Sequence, residues 1–347
     1  MGVALTATAT ELAGLRELAD DLFGSITEPH LHSQQTALPY SAESWRLLGE
    51  SGLSLLTTPE ASGGSGAGIT EAAIVLDRSG YHALPAPLAE SDLLAAWLLV
   101  AAGADVPDGP LTAASTMLSA DADLVVLEHV PWAQVASAVV VTGPGFVGVA
   151  DLAECSVTPV GDLAGEYRGN VTVPASALQT LPTADLRPEF RIRGAWARSA
   201  QICGATERAL DLATVHVGER HQFGRPIGKF QAVQELIARS AGYLVAAKAA
   251  ASHAATAVDE HGFGGPEAQV AVAVAKIQAG RAAVAVSRDV HQAHGAIGFT
   301  LDHQLRHFTT RMLAWNRDFD GPSVWERELA SVFLASGVSV WEFATTH

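Results

Sequence analysis

Apolar residues recur at three-to-four spacing in the first part of the chain, which is the pattern of amphipathic helices. The pattern covers residues 9–27 and 40–54 and resumes over 64–104, with polar residues between its segments. A proline followed by clustered glycines interrupts it at 57–68, as is typical of a turn. The pattern therefore predicts an all-α region over residues 1–108.

Past this region the pattern changes to short runs that are rich in valine. The clearest runs lie at 122–130, 136–143 and 146–152, and Gly, Pro and Asp separate them. Such runs are typical of strands joined by turns, and prolines with polar residues close the region at 171–190. We predict a small β domain over residues 109–185.

Long alanine-rich amphipathic stretches fill the rest of the chain. They lie at 192–218, 229–260 and 265–292, and a shorter set follows from 302 onward. Long helices joined by short loops predict a four-helix bundle over residues 186–347. The predicted fold class is α+β, mainly α, with an N-terminal helical domain, a small middle β domain and a C-terminal four-helix bundle.

Composition and charge narrow the possible functions. The 347 residues are 48% hydrophobic and 17% charged, which is typical of a globular protein. The formal net charge is −16 and the chain has three lysines, so we expect neither a nucleic-acid partner nor an anionic membrane partner. Cys155 and Cys203 form no paired or zinc-binding spacing, which favours a cytoplasmic location without a metal. Lys276 and Arg281 interrupt the most apolar stretch, and the start of the chain has no signal-peptide pattern, so no membrane span is predicted.

One segment, GERHQFGRPIGKFQAVQ at 218–234, breaks the helical pattern with groups suited to a nucleotide. Arg220 carries a planar fork of donors that matches two phosphate oxygens. Gln222 can donate and accept hydrogen bonds, and Phe223 offers a flat apolar face. Together these groups suit a pyrophosphate joined to an adenosine.

A second segment, HQAHGAIGF at 291–299, follows the third long helical stretch. Gln292 supplies a side-chain amide. Gly295 and Gly298 lack side chains, so backbone amides can approach an anion closely at these positions. The second segment therefore indicates the same kind of ligand as the first.

The chain resembles the acyl-CoA dehydrogenase family in these two motifs and in its predicted domain order, which is helices, then a sheet, then a helix bundle. Two further stretches support the resemblance: ESWRLLGESGLSLLTTPEASGGSG is similar to the family's amino-terminal helix pair and loop, and VTVPASAL to the exit from its sheet domain. The resemblance implies an FAD enzyme whose bundle holds the ADP half of the flavin across a subunit interface. The predicted cofactor-binding residues are Arg220, Gln222, Phe223, Gly224, Gln292, Gly295 and Gly298. Gly298 has a second interpretation as a helix-to-loop turn residue, and Ala296 stands where the family usually has glycine.

The resemblance also implies a catalytic glutamate that removes the α-proton of the acyl group while the flavin accepts a hydride. Neither of the family's two places for this residue holds a glutamate here. One place falls on Gly194, and the other falls in the loop NRDFDG. Asp320 is the nearest substitute, with Asp318 behind it, but it is shorter and about one residue out of register. Loop or helix-cap roles are the favoured interpretation of both aspartates, so no catalytic residue is predicted and Asp320 is a weak candidate.

The predicted β domain departs from the family as well. It lacks the Thr-Glu-Pro…Gly-Ser-Asp loop and the Trp-Ile-Thr-Asn strand that surround the flavin ring and the acyl thioester in the family. Trp132 is a candidate remnant, although a core tryptophan is the favoured interpretation. Glu60 is interpreted as a solvated residue, and His303 with His307 as a polar helix face, because no third metal ligand stands at a recognisable position.

The sequence therefore predicts one subunit of a heteromeric acyl-CoA dehydrogenase, with α2β2 as the expected assembly. It resembles the smaller, base-lacking subunit of the actinobacterial enzymes that act on steroid side chains attached to coenzyme A. A longer partner subunit would supply the catalytic glutamate, and an acceptor such as electron-transfer flavoprotein would take the electrons. The alternatives are a self-sufficient homotetramer that uses Asp320, a non-enzymatic scaffold subunit, and a flavin monooxygenase on the same fold.

Overall fold

The computed structural model describes residues 8–33 and 35–346, and the chain divides into two compact units. The helical unit contains the chain up to Thr36, Ile69–Leu84 and the chain from Ala195 onward. The sheet unit contains Ala37–Gly68 and Pro85–Gly194. The fold class is the predicted one, mainly α with a small β region, whereas the three-domain boundaries remain a prediction.

Helices make up most of the chain. In chain order they are α1 (Ala9–Thr27), α2 (Ala42–Glu50), α3 (Ile69–Tyr81), α4 (Trp97–Ala101), α5 (Arg187–Glu219), α6 (Gln231–His261), α7 (Pro266–His294), α8 (Leu305–Trp315), α9 (Pro322–Ser336) and α10 (Val340–Thr346). A π-helix, Ala89–Ala96, leads into α4. The three long stretches predicted for the bundle coincide with α5, α6 and α7, and the predicted shorter set begins with α8 and α9.

The core helix of the helical unit is α7. Pro266 lies in its first turn, where the missing N–H costs no hydrogen bond, and Gly295 follows its last residue with φ 65°. Alanine dominates its buried positions, so α6 can pack closely against it. Among the described residues, Pro266–Phe299 is the segment long and apolar enough to cross a membrane, but 72% of its apolar window is buried inside the protein. Packing in the core therefore accounts for its composition.

The sheet unit contains more strands than the valine runs predicted. The strands are β1 (Leu111–Ser115), β2 (Leu124–Pro131), β3 (Ala138–Gly143), β4 (Phe146–Asp151), β5 (Ser156–Val160), β6 (Arg168–Pro174) and β7 (Gln179–Pro182). They form one sheet in the order β1-β3-β4-β7 and a second in the order β2-β6-β5. Only β1 and β3 run parallel among these described pairs.

Valines from both sheets form the core of the sheet unit. Val125, Val139 and Val171 belong to one buried cluster. Trp132 is 4% exposed, and its ring centroid lies 5.9 Å from that of Tyr167. Trp132 is therefore a core residue, in agreement with the favoured interpretation of the sequence.

Candidate functional site

A two-residue β-hairpin follows α5 and carries the first motif. Its strands are β8 (His221–Gln222) and β9 (Arg225–Pro226), and Phe223 and Gly224 between them have φ of 52° and 79°. Positive φ at both central residues defines a type I′ turn, whose twist matches that of a hairpin. Glycine adopts this conformation freely, whereas phenylalanine is strained in it. The Phe223 side chain is nevertheless 90% exposed, so the strain serves to hold an aromatic ring outward rather than to fill the core.

The hairpin, the start of α6 and the end of α7 enclose a cavity of about 560 Å³. This volume is typical of sites for small molecules and cofactors. The cavity is lined by His216, Arg220, Gln222, Phe223, Ile227, Phe230, Val233, Gln292, Ala293, His294, Gly295, Ala296 and Ile297. The structure therefore brings residues of both sequence motifs to one place.

Polar groups at the cavity have unused hydrogen-bonding capacity. Within the part of the chain that the structure describes, the side chains of Arg220, Gln222 and Gln292 make no hydrogen bond or ion pair. Arg225 and Lys229 add positive charge to the same loop, although the chain as a whole carries −16. A guanidinium without a carboxylate partner is suited to phosphate oxygens, so the cavity favours an anionic ligand.

The three predicted glycines have different positions. Gly295 lines the cavity, and a Cβ on it would meet nothing within 4 Å, so glycine is favoured there by its positive φ alone. Gly298 is buried, and a Cβ on it would lie 2.9 Å from Cβ of His294. Close packing therefore accounts for Gly298, and turn geometry accounts for Gly224. Neither is among the described lining residues, and a cofactor contact from either remains a prediction.

His216 is a cavity residue that the sequence motifs did not identify. Its ring stacks on that of His294, with centroids 4.6 Å apart. Burial, together with weaker repulsion from His303 and His216, lowers the pKa of His294 to about 4. The His294 ring is therefore neutral at pH 7, and the stacked pair forms a flat wall. Spacing could have identified His216 from the sequence. His216 precedes Arg220 by four residues, and residues four apart lie on one face of a helix.

One of the two histidines interpreted as a polar helix face is a packing residue. His307 is 1% exposed, and burial lowers its pKa to about 3. The interpretation of His303 and His307 as a polar helix face is therefore wrong for His307, because the helix turns this residue into the core. Among the described residues, no group of three or more His, Cys, Asp or Glu side chains could hold a metal ion.

The loop after α8 holds the two aspartates that were considered as bases. Asp318 accepts a hydrogen bond from Nε of Arg198 at 2.9 Å, and Asp320 follows in the left-handed region with φ 71°. Beside the loop, Nζ of Lys276 donates to the carbonyl oxygen of Trp315 at 3.0 Å, and burial lowers the pKa of Lys276 to about 7. Neither aspartate is among the described residues that line the cavity. Asp318 is committed to an ion pair.

The other expected place for a base, Gly194, follows a partly buried cation, Arg193. The Arg193 guanidinium lies 4.1 Å from the centroid of the Trp97 ring, and Nη2 lies 2.9 Å from the Glu189 carboxylate. Burial lowers the pKa of Arg193 to about 10. This part of α5 therefore presents a paired cation beside the glycine, and the nearby carboxylate is already bound.

Two family models of the acyl-CoA dehydrogenase class match this chain. Residues 10–106 match the family model of the acyl-CoA dehydrogenase N-terminal domain, and residues 193–329 match that of the C-terminal domain. The chain belongs to the acyl-CoA dehydrogenase family, which confirms the resemblance seen in its motifs. The cofactor of this family is FAD.

Curated relatives and solved structures extend the match over most of the chain. Acyl-CoA dehydrogenase IpdE2 from Mycobacterium tuberculosis is 30% identical over 310 residues, which cover 87% of this chain and 88% of the relative. IpdE2 from Mycolicibacterium smegmatis is 26% identical over 314 residues, which cover 85% of this chain and 91% of the relative. The structure of the ChsE4-ChsE5 complex from Mycobacterium tuberculosis has a TM-score of 0.82 and 22% identity, covering 96% of this chain and 99% of that chain.

The groups at the cavity fit the ADP half of FAD. The guanidinium of Arg220 suits the pyrophosphate, the amides of Gln222 and Gln292 suit hydroxyl and ring nitrogen groups, and flat rings suit the adenine. The positive φ of Gly295 leaves the backbone at the end of α7 open to the ligand. None of the described residues that line the cavity is an aspartate or a glutamate. The cavity therefore fits the nucleotide, whereas Gly194, Asp318 and Asp320, the positions considered for the base, are not among its described lining residues.

Proposed function

We propose that this chain is the base-lacking subunit of a heteromeric acyl-CoA dehydrogenase, and that it binds the ADP half of FAD while a partner subunit supplies the catalytic glutamate. One observation carries the proposal. Arg220, Gln222 and Gln292 converge on one cavity with unused donors, whereas neither of the two positions expected for the base holds a glutamate: one is Gly194, and the other is the loop in which Asp318 pairs with Arg198. Such a chain can hold the cofactor but needs a second protein for the chemistry.

The comparisons support a partnership of this kind. The neighbour with a TM-score of 0.82 is a complex of two named proteins, ChsE4 and ChsE5. A second neighbour, the Tcur3481-Tcur3483 steroid acyl-CoA dehydrogenase, has a TM-score of 0.80 and 23% identity, covering 95% of this chain and 99% of that chain. With the expectations from the sequence, the proposal is a two-protein α2β2 assembly that works in the cytoplasm on a steroid side chain joined to coenzyme A.

Each cavity residue has a defined role in this proposal. Arg220 binds the pyrophosphate oxygens, Gln222 and Gln292 orient the ribose and adenine, and Phe223 covers the base. The stacked rings of His216 and His294 form a further part of the wall. When bound, the flavin supplies the hydride acceptor for α,β-desaturation, and an acceptor such as electron-transfer flavoprotein removes the electrons.

The test is co-expression with a candidate glutamate-bearing acyl-CoA dehydrogenase subunit, followed by measurement of flavin per polypeptide. We expect a mixed tetramer with about one flavin for every two chains. Arg220→Ala in this complex should weaken FAD binding by about tenfold to a hundredfold, since a hydrogen bond to a charged group is lost. Arg327→Ala is the matched control, because Arg327 is an exposed arginine of α9 outside the cavity.

Two outcomes would contradict the proposal. A chain that is purified alone with a full complement of flavin and oxidises an acyl-CoA would be a self-sufficient homotetramer. A complex whose flavin content is unaffected by Arg220→Ala would favour a scaffold role, in which the arginine motif only joins two helices.

A further inference from the structure

Two arginines on neighbouring helices share one buried carboxylate. Nε and Nη2 of Arg239 on α6 donate to Asp289 on α7, both at 2.8 Å, and Nε of Arg288 donates to the same carboxylate at 3.0 Å. Although burial of Asp289 raises its pKa, the hydrogen bonds from the two guanidinium groups hold it below the usual value. The carboxylate is therefore ionised and fixes both arginines in place.

The two arginines and their shared carboxylate together carry a net positive charge at the surface. The side chains of Arg239 and Arg288 are 47% and 67% exposed, whereas that of Asp289 is 1% exposed. Two cations and one anion leave a charge of one, in a chain whose net charge is −16. By contrast, Arg281 on the same helix pairs with its own carboxylate, Glu326, at 2.8 Å. The shared carboxylate leaves guanidinium N–H groups of Arg288 free within the described part of the chain.

The surface around the pair has the composition of an interface. Tyr243 of α6 is 38% exposed and Val284 of α7 is 56% exposed, and both line an open cleft of about 440 Å³ together with Arg288. The Tyr243 hydroxyl has no hydrogen-bond partner among the described residues. Tyrosine and arginine around an exposed apolar centre are the residues enriched in binding hot spots. We call Arg239, Tyr243, Val284 and Arg288 the paired-arginine surface.

The position of this surface, next to the cofactor cavity on α7, favours the partner subunit as its occupant. Arg288 precedes Gln292 by four residues, so it lies on the same face of α7 as a residue that lines the cofactor cavity, one helical turn away. In the proposed function, the partner subunit must reach the rim of that cavity because it holds the other half of the flavin. Arg288 is one helical turn from this rim and is therefore within reach of a partner that covers it.

From this continuity we infer that the paired-arginine surface is a docking site for the partner subunit, which presents a carboxylate to Arg288 and Arg239. The inference rests on the proposed function. Burial of the surface by a partner removes water from these charges, and the fixed guanidinium groups then select a negative group over a positive or neutral one. A second copy of this chain, or a small anion, would be a different occupant.

The experiment compares assembly of charge variants with the glutamate-bearing subunit. Arg288→Glu should weaken the affinity of the two chains by on the order of tenfold or more, since reversal places like charges together, and Arg288→Gln should have a smaller effect. The affinity between the two wild-type subunits should fall as the salt concentration rises. Arg327→Glu is the control and should change affinity less than about twofold. Circular dichroism of each isolated full chain verifies that the variant folds.

The outcomes separate this inference from the proposed function. If Arg288→Glu assembles as the wild type does, the inference is wrong, while loss of flavin in Arg220→Ala would still support the function. If Arg288→Glu dissociates only a homo-oligomer of this chain, the occupant is a second copy and the inference is overturned. Binding of inorganic phosphate that depends on Arg288, with unchanged assembly, would also overturn it. If the wild-type chain assembles with no second subunit, both proposals fail.

Discussion

At the residue scale, Phe223 adopts a backbone conformation that is unfavourable for its side chain. A type I′ turn favours Asn-Gly, because both residues need positive φ, yet this chain has Phe-Gly at its centre. The ring gains little from burial because Phe223 is 90% exposed. It contacts the ring of Phe230 edge-on, with the ring centroids 6.1 Å apart. The residue therefore makes sense as part of a binding site rather than as part of the fold.

Phe223→Asn should raise the free energy of unfolding by about 1 kcal/mol, because asparagine tolerates the left-handed conformation better. The same change should weaken FAD binding in the complex by about 1–3 kcal/mol through loss of the stacked ring. Urea denaturation of the chain and flavin titration of the complex measure the two effects. Phe223→Tyr keeps the ring and should leave both nearly unchanged; equal flavin affinity in all three proteins would contradict the assignment.

At the element scale, the carboxyl end of α7 is built around histidines that must stay neutral. His294 is 5% exposed, its Nδ1 donates to the carbonyl oxygen of Val290 at 2.8 Å, and His303 contacts it edge-on. Protonation would place a charge among neighbours that can also become positive. Acid should therefore loosen the same helix end that forms the wall of the cofactor cavity.

The pH dependence follows from the lowered pKa of His294, about 4 in the folded chain against 6.5 for an ordinary histidine. The unfolded chain binds the proton more tightly, so this contribution is complete above pH 6.5 and is lost as the pH falls from 6.5 to about 4. Between pH 7 and pH 5 the loss should be about 2 kcal/mol. Urea denaturation at pH 7 and pH 5 measures this loss of unfolding free energy. The loss should be about 2 kcal/mol smaller in His294→Phe than in the wild type, and the exposed control His261→Gln should lose as much as the wild type.

A second contact at this scale joins α3 to α5 through glycine. A Cβ on Gly204 would lie 1.7 Å from the carbonyl oxygen of Asp77, and one on Gly80 would lie 2.0 Å from that of Gln201. The helix backbones therefore touch directly, and no side chain can be added without separating them.

Gly204→Ala should lower the free energy of unfolding by about 3 kcal/mol, because the methyl group would have to push the two helices apart. The matched control is Gly14→Ala in α1, where a Cβ would meet nothing within 4 Å. That change should raise the free energy of unfolding by about 0.5–1 kcal/mol through helix propensity. Thermal or urea denaturation measures the unfolding free energy of both variants. Equal changes in Gly204→Ala and Gly14→Ala would argue against the close approach of α3 and α5.

At the scale of the whole molecule, the proposed function gives the chain one half of a catalytic apparatus. Its cavity gathers groups for a nucleotide, and the loop that could have carried a base instead holds Asp318 in an ion pair with Arg198. The turn around Asp320 is strained, but it leads into α9 rather than into the cavity. The activity should therefore belong to the assembly and not to the chain.

Asp320→Asn in the assembled complex should leave kcat for an acyl-CoA within about twofold of the wild type, because no proton transfer is assigned to this residue. Loss of a general base would lower kcat by roughly a hundredfold or more. Steady-state rates with an artificial electron acceptor distinguish the two. The isolated chain should show no turnover with either residue at this position, and turnover by the isolated wild type would restore Asp320 as a candidate base.

The sequence by itself determined the order of the elements, the extents of α5, α6 and α7, and the two motifs at the cavity. These features depend on neighbours within a few positions, because the helix and strand periods and the turn preferences of Gly and Pro are local properties. Only the tertiary structure decided which distant residues contact each other and which are buried. It placed His216 on His294, turned His307 into the core, gave Arg239 and Arg288 one carboxylate, and added strands without strong valine runs. Those outcomes depend on burial and pairing between residues distant along the chain, which no local pattern records.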